Sequence, residues 1–107
     1  MNNYYFQKAY KVSADSLKEA LVDYRAHLKK VSTEHEDDIY KNYHLLYYEI
    51  INGYLETDQD LQFLIENIVQ QIHTRLPWCS GSSKEALGVI GAELSLMLER
   101  YSFGGHL

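Results

Sequence analysis

Four times in this chain a Ser or Thr stands three residues ahead of a Glu or Asp: Ser16/Glu19, Thr33/Glu36, Thr57/Asp60 and Ser82/Glu85. Each pair opens a run whose apolar residues recur at spacings of three and four. A hydroxyl at the cap and an acid three positions later can each accept a free N–H of a first helical turn. Spacings of three and four put side chains on one helical face. The pattern predicts an all-α chain with helices over about 16–31, 34–54, 58–76 and 83–101. The first dozen residues, with Tyr4, Tyr5, Phe6 and Tyr10, read as a short extra helix or an edge strand over the open end. The expected architecture is therefore a four- to five-helix bundle in one domain.

The apolar stripes define the expected core. In the first helix they are Leu17, Ala20, Leu21, Tyr24, Leu28 and Val31, and in the third Leu61, Leu64, Ile65, Ile68, Val69, Ile72 and Leu76. Pro77 stops the third helix. In the fourth, Gly88, Gly91, Ala92 and Ser95 lie three or four apart. Interior glycine costs a helix about 1 kcal/mol relative to alanine, so these small residues point to close approach by a neighbouring helix. Gly104 and Gly105 suit a left-handed cap at the tail.

The second helix is less simple. Ile39, Tyr43, Leu46, Tyr47, Ile50 and Tyr54 share one face and form its expected core stripe. Asp37, Tyr40, His44, Tyr48 and Ile51 form a second line, rotated by roughly 100°. Either this helix packs on two neighbours, or the second line is offered to something outside. Tyrosine suits the outside role, because it gives a large contact area at low entropy cost.

Charge is unevenly placed. Residues 32–70 carry nine acids and one base, while residues 1–31 carry six bases and three acids. Phosphate binding needs clustered Lys and Arg, so the acidic middle argues against nucleic acid as the direct ligand. It suits a cationic partner, whose approach it would steer. The expected contact residues are Glu34, Glu36, Asp37, Asp38, Tyr40, His44, Tyr48, Glu56, Asp58 and Asp60. Capping alone accounts for Glu36, Asp37 and Asp38, and does not cover Glu56, Asp58, Asp60 and Glu66.

Signatures of catalysis are missing from the sequence. The histidines His27, His35, His44, His73 and His106 show no zinc spacing, and Cys79, the single cysteine, cannot build a metal site or an internal disulfide. The expectation is a non-enzyme without metal or cofactor. No run approaches the roughly 18 apolar residues of a membrane span, and the start lacks a signal core, which predicts a cytosolic protein, monomeric or weakly dimeric when free. One enzyme motif competes. Arg100 and His106, in "RYSFGGH", resemble the Arg-x(4–6)-His pair of HEPN ribonucleases, which implies a histidine acting on a ribose hydroxyl and an arginine holding phosphate.

The acids Glu34, Glu36, Asp37 and Asp38, with Tyr40, Tyr43, Tyr47 and Tyr48, carry a different resemblance. A small, acidic, tyrosine-rich helical chain of this kind resembles bacterial immunity proteins that neutralise a colicin or a contact-dependent growth inhibition toxin. The run "LYYEI" is similar to the acidic helix with a tyrosine pair in nuclease-colicin immunity proteins. The resemblance implies an antitoxin that binds one cognate cationic nuclease domain. A dimerisation or adaptor module is the remaining alternative.

Overall fold

In the computed structural model, residues 10, 12, 14–57 and 60–103 are described, the last two by backbone alone. They form four α-helices: α1 (Leu17–Glu34), α2 (Asp38–Leu55), α3 (Leu61–Arg75) and α4 (Gly81–Leu98). A single 3-10 turn, Leu76–Trp78, joins α3 to α4, and a π turn, Glu99–Phe103, follows α4. The chain is all-α among the described residues. Among the described residues no helix is long and apolar enough to cross a membrane. Tyr4, Tyr5, Phe6, Asp58, Gly104, Gly105 and His106 lie outside the described residues.

Only the first of the four hydroxyl–acid pairs starts a helix. Ser16 caps α1 and its hydroxyl accepts from the Glu19 N–H at 3.2 Å. Thr33 is still inside α1 and bonds back to the Lys30 carbonyl. Asp37 caps α2 instead, accepting from the Tyr40 N–H at 3.0 Å. Thr57 bonds back to the Tyr54 carbonyl at the end of α2, and Asp60 caps α3. Ser80 stands at the N-cap of α4, which leaves the Ser82 hydroxyl free to donate to Asp37 Oδ2 at 2.6 Å. At α2 and α3 the reason is shared: a carboxylate caps as well as a hydroxyl, and a Thr at or near a helix end readily bonds its own preceding turn.

α4 is the central element. Ala86, Leu87, Val89, Ile90, Leu94 and Met97 are all buried, as expected of a helix that is apolar nearly all round. It packs on α3 and α2, and α2 packs along α1. The expected stripes of α1 and α3 supply Ala20, Leu21, Tyr24, Leu28, Ile65, Ile68 and Ile72 to the core. Tyr24 of α1 bridges to α4 through its hydroxyl bond to Glu93. α3 meets α4 closely at Gly91, where an added Cβ would stand 3.0 Å from Ile72 Cγ2.

Two glycines therefore respond oppositely to the same change. Gly53, exposed in α2, has open space around its missing Cβ. Gly53→Ala should stabilise the fold by about 0.5–1 kcal/mol through helix propensity alone. At Gly91 the stiff, fully buried Ile72 has no room to retreat, and overpacking costs about 1–3 kcal/mol. Gly91→Ala should therefore be neutral to destabilising by about 2 kcal/mol. Urea midpoints of the two variants, measured against the parent, check both signs.

Candidate functional site

Among the expected contact residues, the described acids all reach solvent. Glu34 ends α1, Glu36 and Asp37 lie in the connection that follows, and Asp38 opens α2; all four are exposed. Glu56 and Asp60, also exposed, flank the α2–α3 connection. The two groups therefore sit at opposite ends of α2, an 18-residue helix and so about 27 Å long at 1.5 Å per residue. Exposed Glu49 lies between them on α2, and Glu66 is exposed on α3. Asp38 pairs with Lys41 at 3.4 Å. Asp37 is partly a structural residue. Its bonds from the Ser82 hydroxyl and the Tyr40 N–H hold its carboxyl below the usual carboxylate range.

Tyr40 and His44 do not form an outer line. Both are buried, and they correct the reading of α2: its inward face is Tyr40, His44, Tyr47 and Ile51. Tyr48 is half-buried against α1, with Lys29 Nζ 5.0 Å from its ring centre. Of the expected core stripe, Tyr47 is buried and Tyr43, Ile50 and Tyr54 are half-buried against the core, while Ile39 and Leu46 are exposed. Those two were misplaced because apolarity was taken to mean burial, whereas polar Tyr40 and His44 fill the inward face.

At the centre of that chamber is Glu93 of α4, fully buried. Tyr24 of α1 donates its hydroxyl to Glu93 Oε1 at 2.5 Å. His27 Nε2 stands 3.6 Å from Oε2, and Oε2 has no hydrogen-bond partner among the described residues. Tyr10 lies over this end, its ring 5.3 Å from that of Tyr24 and 4.9 Å from that of His27. From α2, His44 Nδ1 is 3.0 Å from the Tyr40 carbonyl. A carbonyl only accepts, so this nitrogen carries the proton. His35, Tyr40 and His44 stack in sequence, with centroids 3.9 and 4.6 Å apart.

The surroundings shift these groups in the directions burial dictates. The Tyr24 hydroxyl is held well above its ordinary value by burial and then by the Glu93 charge. Tyr40 is pushed up to about 12 by burial, with Glu85 and Glu93 adding to it. Tyr10 is raised by burial, with Asp23 and Glu93 contributing. His44 is lowered, mainly because burial disfavours the imidazolium, although its bond to Tyr40 and the Glu93 charge oppose the shift.

Chemically, the cluster resembles the inside of a protein more than a reaction site. An open groove along the start of α1, lined by Ala14, Asp15, Lys18, Glu19, Val22 and Asp23, does not border Glu93. Among the described residues no three His, Cys, Asp or Glu side chains gather to hold a metal ion. Arg100 lies exposed in the π turn with its guanidinium over the Tyr101 ring, and its HEPN-motif companion His106 is outside the described residues. Sequence reasoning passed over Glu93, although a lone acid within the apolar run "LGVIGAELSLML" was the available signal.

Two measurements test the cluster. Tyr24→Phe deprives a buried carboxylate of its donor and should cost about 1.5–3 kcal/mol. Adding Glu93→Leu should recover part of that loss, because replacing both partners with apolar groups is nearly neutral; simple additivity in urea unfolding would contradict the coupling. The second concerns pH. His44 has a lower affinity for protons folded than unfolded, so the unfolded chain binds more protons as pH falls below 6.5. Its contribution to stability is present above that value and is lost progressively below it. Between pH 7 and pH 5 the parent should lose more stability than His44→Phe, and equal losses would refute the assignment. Comparison with protein families, with characterised proteins and with solved structures finds no match for this chain.

Proposed function

We propose that the chain is an immunity protein, an antitoxin that binds and neutralises a cognate cationic nuclease domain of the colicin or contact-dependent growth inhibition type in the cytosol. The observation that carries this reading is the exposure of the acids. Glu34, Glu36, Asp38, Glu49, Glu56, Asp60 and Glu66 all stand in solvent, within a stretch of nine acids and one base. Nuclease domains bind phosphates and are basic for that reason. A row of carboxylates along α2 and its two ends complements such a surface, and would raise the rate of encounter. The contact set is accordingly revised: Tyr40 and His44 support α2 from inside, Asp37 serves chiefly as a cap, and Glu49 and Glu66 join the acids. The role is one of binding, with no catalytic step assigned to the chain.

The test is protection of growing cells. Cells expressing the nuclease domain of a toxin encoded beside this chain should grow when the parent chain is co-expressed. Glu36→Gln, Asp38→Asn, Glu49→Gln and Glu66→Gln combined should lower protection by at least about tenfold, given that electrostatic steering changes association rates by about 10–1000-fold. Circular dichroism should show unchanged helix content. Full protection by the neutralised variant would remove the basis for the reading.

A further inference from the structure

The outer face of α2 carries more than charge. Ile39, Tyr43, Leu46 and Ile50 follow one another at spacings of four, three and four, so they form one straight stripe. Ile39 is 52% exposed and Leu46 45% exposed, while Tyr43 and Ile50 form the half-buried floor between them. α1 covers the opposite flank, where Arg25 Nη1 donates to Asn52 Oδ1 at 2.9 Å and Lys29 sits over Tyr48. On the side of the stripe, α3 touches α2 little. The end of α3 and its turn come near the buried Tyr47, whose hydroxyl is raised by burial first, with Arg75 opposing and Tyr43 and Cys79 adding to it; Trp78 in that turn is 88% exposed. The solvent edge of the stripe carries exposed Asp38 and Glu49.

We infer that this stripe is a docking site for one amphipathic helix of a partner protein, with leucine-like side chains on one face and lysine or arginine beside them. The inference rests on the reading of the chain as a binder of a cationic protein, and names the element of that partner which is seized. The choice of occupant follows from charge. The acidic edge would repel the same edge of a second copy, and it complements a basic helix. The side-chain spacing accepts apolar groups at i, i+3, i+4 and i+7, the pattern of a helix laid in a groove.

The test uses the full chain and synthetic peptides of about 18 residues, roughly five helical turns. One peptide arranges Leu and Lys so that leucines form a stripe; a second has the same composition with the stripe scrambled; a third replaces Lys by Glu. Calorimetry gives affinity, and the stripe variants below report the site. The striped Leu/Lys peptide should bind at least about tenfold more tightly than the other two, as expected when a few buried anchors dominate. Leu46→Asp, and independently Ile39→Gln, should remove that advantage with helix content intact. Equal binding of striped and scrambled peptides, or no binding of either, overturns the docking site. So does concentration-dependent dimerisation that Leu46→Asp abolishes, or nuclear Overhauser contacts seating residues 1–9 of the same chain on the stripe. The two levels separate cleanly. If Asp38→Asn/Glu49→Gln weakens both Lys peptides equally while Leu46→Asp changes nothing, the anchor fails and the cationic partner stands. If the parent chain binds Leu/Lys and Leu/Glu stripes alike and Leu46→Asp abolishes both, the cationic partner fails and the anchor stands.

Discussion

The bond between Tyr24 and Glu93 governs how the helices are turned. A carboxylate in a dry core costs several kcal/mol unless donors meet it, and Glu93 sits where α1, α2 and α4 converge. From α1, Tyr24 donates to it and His27 stands 3.6 Å away. From α2, the buried Tyr40 and His44 lie within its field, though burial shifts both more than its charge does. A polar interior of this kind favours the polar face of α2 inward. The same rotation leaves an apolar stripe on the outside, so the polar interior and the apolar exterior have one cause.

That cause also marks how far the fold could be read in advance. Periodicity located all four helices and the core faces of α1 and α3, because those faces are aliphatic and meet aliphatic neighbours. Gly91 was legible as a point of close approach, since a glycine within a helix needs a packing reason and Ile72 provides it. Helix starts were less legible. Asp37 and Asp60 outcompeted Thr33 and Thr57 at the caps, a contest between equally good acceptors that local sequence does not decide. The face of α2 was illegible for a different reason: it depends on a residue in α4, 49 positions after His44, whose charge no local window contains. Of the candidate site, the exposed acids were visible as composition, whereas the separation of their two groups by the length of α2 required the fold.

The acids divide into two populations with different physics. Asp37 and Asp60 spend their oxygens on helix N–H groups, and Asp37 also ties α2 to α4 through Ser82. These are short-range bonds, little affected by salt. Glu34, Glu36, Asp38, Glu49, Glu56 and Glu66 project into water, where a single pair is worth a few tenths of a kcal/mol. Their collective field reaches about one Debye length, roughly 8–10 Å at physiological salt. Such a field gathers and orients a cationic protein without holding it tightly.

The neutralisation proposed above would need something the field does not supply. Steering charges act mainly on association, and the lifetime of a complex is set by groups that must be re-exposed to water when it breaks. On α2 the two functions lie side by side, with Asp38 and Glu49 along the edge and Ile39 and Leu46 in the middle. Under the proposed docking, burying those two aliphatic side chains would add contact area on a helix whose inward face is already packed in the core, so little ordering entropy is lost. An acidic surface alone would accept many basic partners. On the same proposal, an apolar stripe of fixed spacing with acids along one edge selects a basic helix whose own stripe matches it.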